Sequence, residues 1–196
     1  DARQVRRVTL VIDENPAPVA GTFEFGEDAG VTMLSTRVRV NAYTPVHAVA
    51  ELSDGSLHVS EVFVKASGGC AAPASKDPEQ AQKTMGRMKL RQFGQDQKMS
   101  DGRAEAQLMI RHPNNSGLQM DQLTRHYVPA HFVRDLTIRQ GDRLILRMEG
   151  GISISEDPNF RFDFHATGEK ISAEAIDTED ETFRDEWAFE LSPDAS

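Results

Sequence analysis

Short runs of β-branched and apolar residues, each closed by a turn cluster, leave this chain few folds other than an all-β one. Val5 to Ile12 ends at Asp13-Glu14-Asn15-Pro16, and Val46 to Leu52 ends at Ser53-Asp54-Gly55-Ser56. Val19 to Phe25, Val31 to Leu34, Thr36 to Val40 and Leu57 to Val64 also read as strands. Past the middle, the strand-like runs are Ala104 to Arg111, Phe132 to Arg139, Arg143 to Glu149, Phe160 to His165, Lys170 to Asp177 and Thr182 to Phe189. Phe160-Arg161-Phe162-Asp163-Phe164-His165 alternates strictly, which puts three phenylalanines on one face of a strand. Strands at this spacing with almost no helix indicate β-sandwiches.

A helix signal breaks the pattern once. Asp77 is placed to cap, Pro78 suits the first helical position and Gln80 completes a capping box. Ala81, Thr84, Met85 and Met88 form a stripe, and Gly86 is a stop, so a short helix is expected from Pro78 to Met85. Gln92 to Gly102 reads as a linker or a hairpin end. The expected organisation is a sandwich over 1–75, a helix and linker over 76–103, and a second sandwich over 104–196.

A single cysteine, Cys70, excludes an internal disulfide, so the fold relies on burial alone. It lies in Lys65-Ala66-Ser67-Gly68-Gly69-Cys70-Ala71-Ala72-Pro73, with a strand leading in and small residues following. A lone cysteine is usually an inert small hydrophobe. The Gly-Gly before it argues instead for a thiol exposed on a pliant loop, with Gly68 and Gly69 supplying mobility. Lys65 and Lys76 are the nearest cations in sequence, and both are expected to be solvated. The thiol is therefore expected not to be strongly activated by its own chain. An exposed unpaired thiol also permits a disulfide-linked dimer.

The formal net charge of −9 argues against a nucleic-acid partner. Much of the acidity lies between Glu174 and Asp194, including Asp177, Glu179, Asp180 and Glu181; such a run is ordinarily a solvated face, or else a docking patch for a basic partner such as a cytochrome. No apolar run is long enough to span a membrane. The start at Asp1 fits a cleaved leader or a trimmed chain. His112, His126 and His131 lie close in sequence, but no neighbouring Cys or carboxylate completes a ligand spacing, so no metal and no cofactor is expected. Met85, Met88 and Met99 read as packing residues.

Several motifs together resemble the sulfur-oxidation carrier proteins SoxY and SoxZ joined in one chain. The SoxY-like pieces are Asn15-Pro16-Ala17-Pro18, Ser35 to Val40, Ala48-Val49-Ala50 with Asp54-Gly55, and Gly68-Gly69-Cys70. The SoxZ-like pieces are Arg111-His112-Pro113 with Gly117-Leu118, Val128 to Phe132, and Ser155 to Phe162. The resemblance implies two immunoglobulin-like sandwiches in the periplasm. It implies a carrier that is not itself an enzyme, whose cysteine covalently holds thiosulfate-derived intermediates while sulfur-cycle enzymes or c-type cytochromes act on them. A fused form is associated with quinoprotein alcohol dehydrogenases, and this chain looks closer to that type.

Two departures stand out. The family's arm ends in Gly-Gly-Cys-Gly-Gly, whereas Cys70 is followed by Ala71-Ala72-Pro73 and a further domain. The loop is thus tethered at both ends, and its extended length from Ala66 to Lys76 is on the order of 35 Å. The SoxY-like half also looks short at its amino end, as if a leading strand were absent. The rival reading is a non-catalytic interaction module that docks a quinoprotein dehydrogenase or cytochrome. A thiol redox enzyme is disfavoured because there is no C-x-x-C.

Overall fold

The computed structural model describes residues 4–73, 78–93 and 103–189. Among the described residues, twelve strands form two sheets. The larger runs β12(Thr182–Trp187), β11(Ile171–Asp177), β8(Val133–Gln140), β9(Arg143–Gly150), β2(Val19–Phe25), β1(Val5–Ile12), β4(Thr44–Leu52) and β5(Leu57–Val64). The smaller runs β3(Leu34–Thr36), β10(Asn159–His165), β7(Arg103–Ile110) and β6(Met88–Phe93). All the pairings between these strands are antiparallel. The fold is nearly all-β, as the strand runs predict.

Strands from the two ends of the chain share both sheets. β2 pairs β9, with Phe23 opposite Met148 and Phe25 opposite Leu146. β3 pairs β10, with Leu34 opposite Phe162. The core lies between the sheets: Phe160, Phe162 and Phe164 are all fully buried, as their alternation requires. Phe160 meets Phe23 of the facing sheet edge-on at 6.3 Å between ring centres. Leu108 and Ile110 of β7, Leu136 and Ile138 of β8, and Met148 of β9 complete this core.

The helix α1 spans Pro78–Thr84, and Gly86 follows it with φ of 78°. A Cβ at Gly86 would lie 2.0 Å from the Phe183 ring, so glycine ends the helix and lets the sheet approach. Asp77, the expected cap, lies outside the described residues, as do Lys76 and Met99. β6 follows directly and was not expected; Met88 and Leu90 pack inward while Lys89 and Arg91 face out. β6 pairs antiparallel with β7, and residues 94–102 of the expected linker or hairpin end lie outside the described residues.

The two strands expected over 31–34 and 36–40 shrink to β3 and a bridge from Val38 to Ile154. The backbone there bonds elsewhere, because every main-chain donor needs a partner and the partners offered are side chains and loops. The Asp163 carboxylate takes Thr32 N–H and Met33 N–H, each at 2.7 Å. Arg39 N–H donates to Ser153 O at 2.7 Å, and Asn15 Nδ2 donates to Arg39 O at 2.8 Å. This irregular stretch becomes one wall of the site.

Candidate functional site

Cys70 is fully buried, which corrects the expectation of an exposed thiol. The reason lies in the two glycines. Gly68 N–H donates to Asn41 O at 2.8 Å, and Gly69 N–H donates to Val40 O at 3.0 Å. Gly68 has φ of 71°, a conformation that side chains resist, although space around it is open. Gly69 is required for a different reason: a Cβ there would lie 2.7 Å from Val40 O and 2.9 Å from Val40 N. The arm expected to be mobile through Gly68 and Gly69 is docked against residues 40 and 41. A tight turn, Ala71 N–H to Gly68 O at 3.2 Å, then carries the sulfur inward.

A clamp from the 116–119 segment holds the loop. Ser116 Oγ donates to Cys70 O at 2.5 Å, and Gln119 Nε2 donates to Ala72 O at 3.1 Å. The clamp is braced internally, since Ser116 N–H donates to Gln119 Oε1 at 2.9 Å. Ser116 and Gln119 are themselves almost wholly buried. Removing water from these polar groups makes each bond count, because an unmade one inside the protein is costly.

The remaining wall is Arg39, only 9% exposed. Its Nη1 donates to Ile154 O at 2.7 Å. Asn15 locks the segment by donating to Arg39 O and to Ser153 Oγ, both at 2.8 Å, and by accepting from Asn41 N–H at 2.8 Å. Burial pushes the Cys70 thiol up from its usual range, and the field of Arg39 offsets part of that rise. The sulfur is therefore kept in its thiol form, consistent with the expectation of weak activation. Among the described residues, the cation acting on it is Arg39, not the sequence neighbour Lys65.

Two family models match the chain. The model for Sulfur oxidation protein SoxY covers residues 1–70, and that for Sulphur oxidation protein SoxZ covers residues 91–188. The chain belongs to the SoxY and SoxZ sulfur-oxidation families, fused in one polypeptide. No curated protein matches it. Cys70 is the last residue of the SoxY match, while Ser116 and Gln119 fall inside the SoxZ match. The SoxZ segment thus holds the cysteine loop of the SoxY segment. The families imply a carrier role in sulfur oxidation, exercised with partner enzymes.

The histidines of the SoxZ segment divide. His126 stays exposed, while His112 and His131 meet edge-on with ring centres 4.7 Å apart. The carboxylate that neighbouring sequence lacked comes from Asp177: its Oδ2 lies 2.7 Å from His131 Nε2 and 3.4 Å from His112 Nε2. These three residues could present ligand atoms to a metal ion. The hydrogen bonding argues otherwise. Asn114 N–H donates to His112 Nδ1 at 3.1 Å, so the proton of neutral His112 sits on Nε2, and no lone pair there faces a metal. Burial, followed by the nearby His131, lowers the His112 pKa and keeps it neutral.

Asp177 also accepts Glu179 N–H at 2.8 Å and Glu181 N–H at 2.9 Å through Oδ1. Burial alone would raise its pKa, but the donors around it, His131 foremost, outweigh that and hold it below the ordinary carboxylate range. The cluster pins the 112–119 segment, and with it the clamp, to the β11–β12 turn. Asn114 continues the link, donating to Ile154 O at 3.3 Å and accepting from Val133 N–H at 3.1 Å. Ile154 O is the carbonyl that also receives Arg39.

Proposed function

We propose that this chain is a periplasmic carrier that holds sulfur-containing groups covalently on Cys70 and presents them to partner enzymes, without turnover of its own. The observation that carries this reading is the position of the sole cysteine at the end of the SoxY match, held by residues of the SoxZ match. The docked thiol is a resting state. Loading requires the loop to lift away, breaking the main-chain bonds of Gly68 and Gly69 and the two bonds of the clamp. Each such bond contributes about 1 kcal/mol net, so lifting costs on the order of a few kcal/mol, well below global unfolding.

Once lifted, the thiol loses its proton to water or a partner base, and the thiolate attacks an electrophilic sulfur. A new S–S bond forms as the leaving sulfur departs with the electron pair of the bond that breaks. Redocking then withdraws the sulfur from stray oxidants, which attack accessible thiolates. Sulfur-cycle enzymes, c-type cytochromes or a quinoprotein dehydrogenase are the proposed partners, and no bound cofactor is needed for this role.

A second reading, an interaction module docking a dehydrogenase or cytochrome, is favoured by β5. That edge strand exposes Leu57, Val59, Val62 and Phe63, each more than half exposed. Exposed apolar edges of this kind pair with partners. The two readings separate on one experiment. Intact mass of protein taken from its native host is expected to show sulfur added at Cys70. Full physiological function in a Cys70→Ser variant would instead leave only the docking role.

A further inference from the structure

The two outer strands of the larger sheet differ in kind. β12 carries charge at its exposed positions, with Arg184, Asp185 and Glu186, which guards an open edge. β5 has no such guard. Its first seven residues are all exposed, and Leu57, Val59, Val62 and Phe63 among them are apolar. These four fall on both faces of the strand, and among the described residues none from β4 or β5 belongs to the hydrophobic core. A row of main-chain donors and acceptors flanked by apolar side chains is a template for another strand.

The sequence of β5 fits a second copy of itself. In an antiparallel pair, opposed residues either both turn their main-chain groups to the seam or both turn them away. β5 pairs β4 without a bulge, so its residues alternate strictly, and two copies meet only in registers that oppose residues of equal parity. Centring the pair on Glu61 sets like charges directly opposite each other. Centring it on Val59 leaves Phe63 opposite Gly55. Centring it on Ser60 sets Leu57 opposite Phe63 twice over, and Glu61, already 3.5 Å from His47, faces Val59. That register also carries Lys65 of each copy to the Ser53-Asp54-Gly55-Ser56 turn of the other, where Lys65 and Asp54 are both exposed. Two-fold symmetry makes this meeting of opposite charges happen twice.

We propose that the chain forms a two-fold dimer in which β5 pairs antiparallel with β5 of a second copy, Ser60 opposite Ser60, joining the two larger sheets into one. The inference goes beyond the carrier reading and does not depend on it. The two Val64 ends, from which the cysteine loops leave, lie about 27 Å apart along such a seam. The pairing therefore uses no disulfide and leaves both loops outside the interface.

Sedimentation equilibrium of the full chain in reductant tests this, with Cys70→Ser as the form that has no thiol. A monomer–dimer equilibrium with a Kd on the order of 10 µM is expected, as suits a single strand pair of small area, and Cys70→Ser should not change it. Val62→Lys, at a position 61% exposed, is expected to weaken the dimer at least about ten-fold with the melting temperature unchanged. Lys65→Glu and Asp54→Lys chains are each expected to self-associate about five-fold more weakly at low salt, and a mixture of the two to regain the wild-type affinity.

A chain that stays monomeric at about 200 µM overturns the proposal and leaves β5 to a dehydrogenase or cytochrome. A dimer that needs Cys70, or that ignores Val62→Lys, overturns it as well. Mixed chains that associate no better than either alone overturn the register and the proposal with it. If Asp54→Lys fails to fold through loss of its turn bonds to Ser56, Val62→Lys decides alone. None of these outcomes bears on sulfur carried at Cys70.

Discussion

The space between the sheets and the Cys70 side chain are both fully buried, but they are held by opposite physics. Between the sheets, Phe23, Phe160, Phe162, Leu108 and Ile138 lose contact with water and form no directional bonds. Their stability is spread over many contacts and is lost only when the whole fold is lost. Around Cys70 the contacts are a handful of hydrogen bonds from Asn41, Val40, Ser116 and Gln119. A few such bonds break together at modest cost and leave the rest intact. One kind of burial makes a scaffold; the other makes a latch.

Four substitutions would break or sharpen that contrast. The largest effect is expected from Phe160→Ala, which removes a fully buried ring from both its own sheet and its contact with Phe23. It should cost about 4 kcal/mol in chemical denaturation, and the thiol should become accessible only through the lowered global stability. Asp177→Ala strips the acceptor from two histidines and two main-chain donors. It should cost about 3 kcal/mol and also loosen the clamp, seen as faster alkylation of Cys70.

Gly69→Ala drives a methyl group into the Val40 backbone. The loop can relieve that clash by lifting, so the melting temperature should change little while alkylation by iodoacetamide accelerates about ten-fold or more. Ser116→Ala removes one bond of the latch, and its acceleration should stay within about ten-fold, with global stability lower by about 1 kcal/mol. A core variant such as Phe160→Ala that accelerated native-state alkylation as much as a latch variant of equal global cost would erase the distinction between the two regions.

Acid provides a gentler probe. The His112 pKa is lowered in the folded protein from an ordinary 6.5, so its contribution is complete above that value and is lost as pH falls below it. Asp177 and Asp163 are also lowered, from 3.8, so their contributions disappear only at still lower pH. Stability measured against pH should therefore decline in two stages. His112→Asn should remove the first stage and leave the second.

The contrast also explains what the sequence could and could not tell. The core strands were legible because burial on one face writes a period of two, as in Phe160 to Phe164. β6 carries the same alternation in Met88, Leu90 and Gln92, but Met88 also fits the helix stripe that precedes it, which hides the strand. The docking of Cys70 left no such pattern. Small residues free the backbone and equally allow a close approach, and only the nearness of Val40 decides between these roles at Gly69. Arg39, Ser116 and Gln119 lie far from Cys70 along the chain, so no local spacing joins them to it.

Asp177 carries its own signal in the sequence. It sits in an acidic run whose Glu179, Asp180 and Glu181 are exposed, yet it continues the inward parity of Ile171, Ala173 and Ala175 on β11. A carboxylate in register with a buried face needs partners, and the histidines of the 112–131 region are those partners.

The central claim is that a carrier thiol rests docked and is released by local opening. The alkylation rate of Cys70 in the folded chain, followed across low denaturant concentrations, tests it most directly. The account predicts a rate at least about a hundred-fold below that of the denatured chain, nearly independent of denaturant until global unfolding begins. A rate equal to that of the denatured chain would mean an arm that never docks, and a rate that rises in step with global unfolding would mean a thiol built into the core.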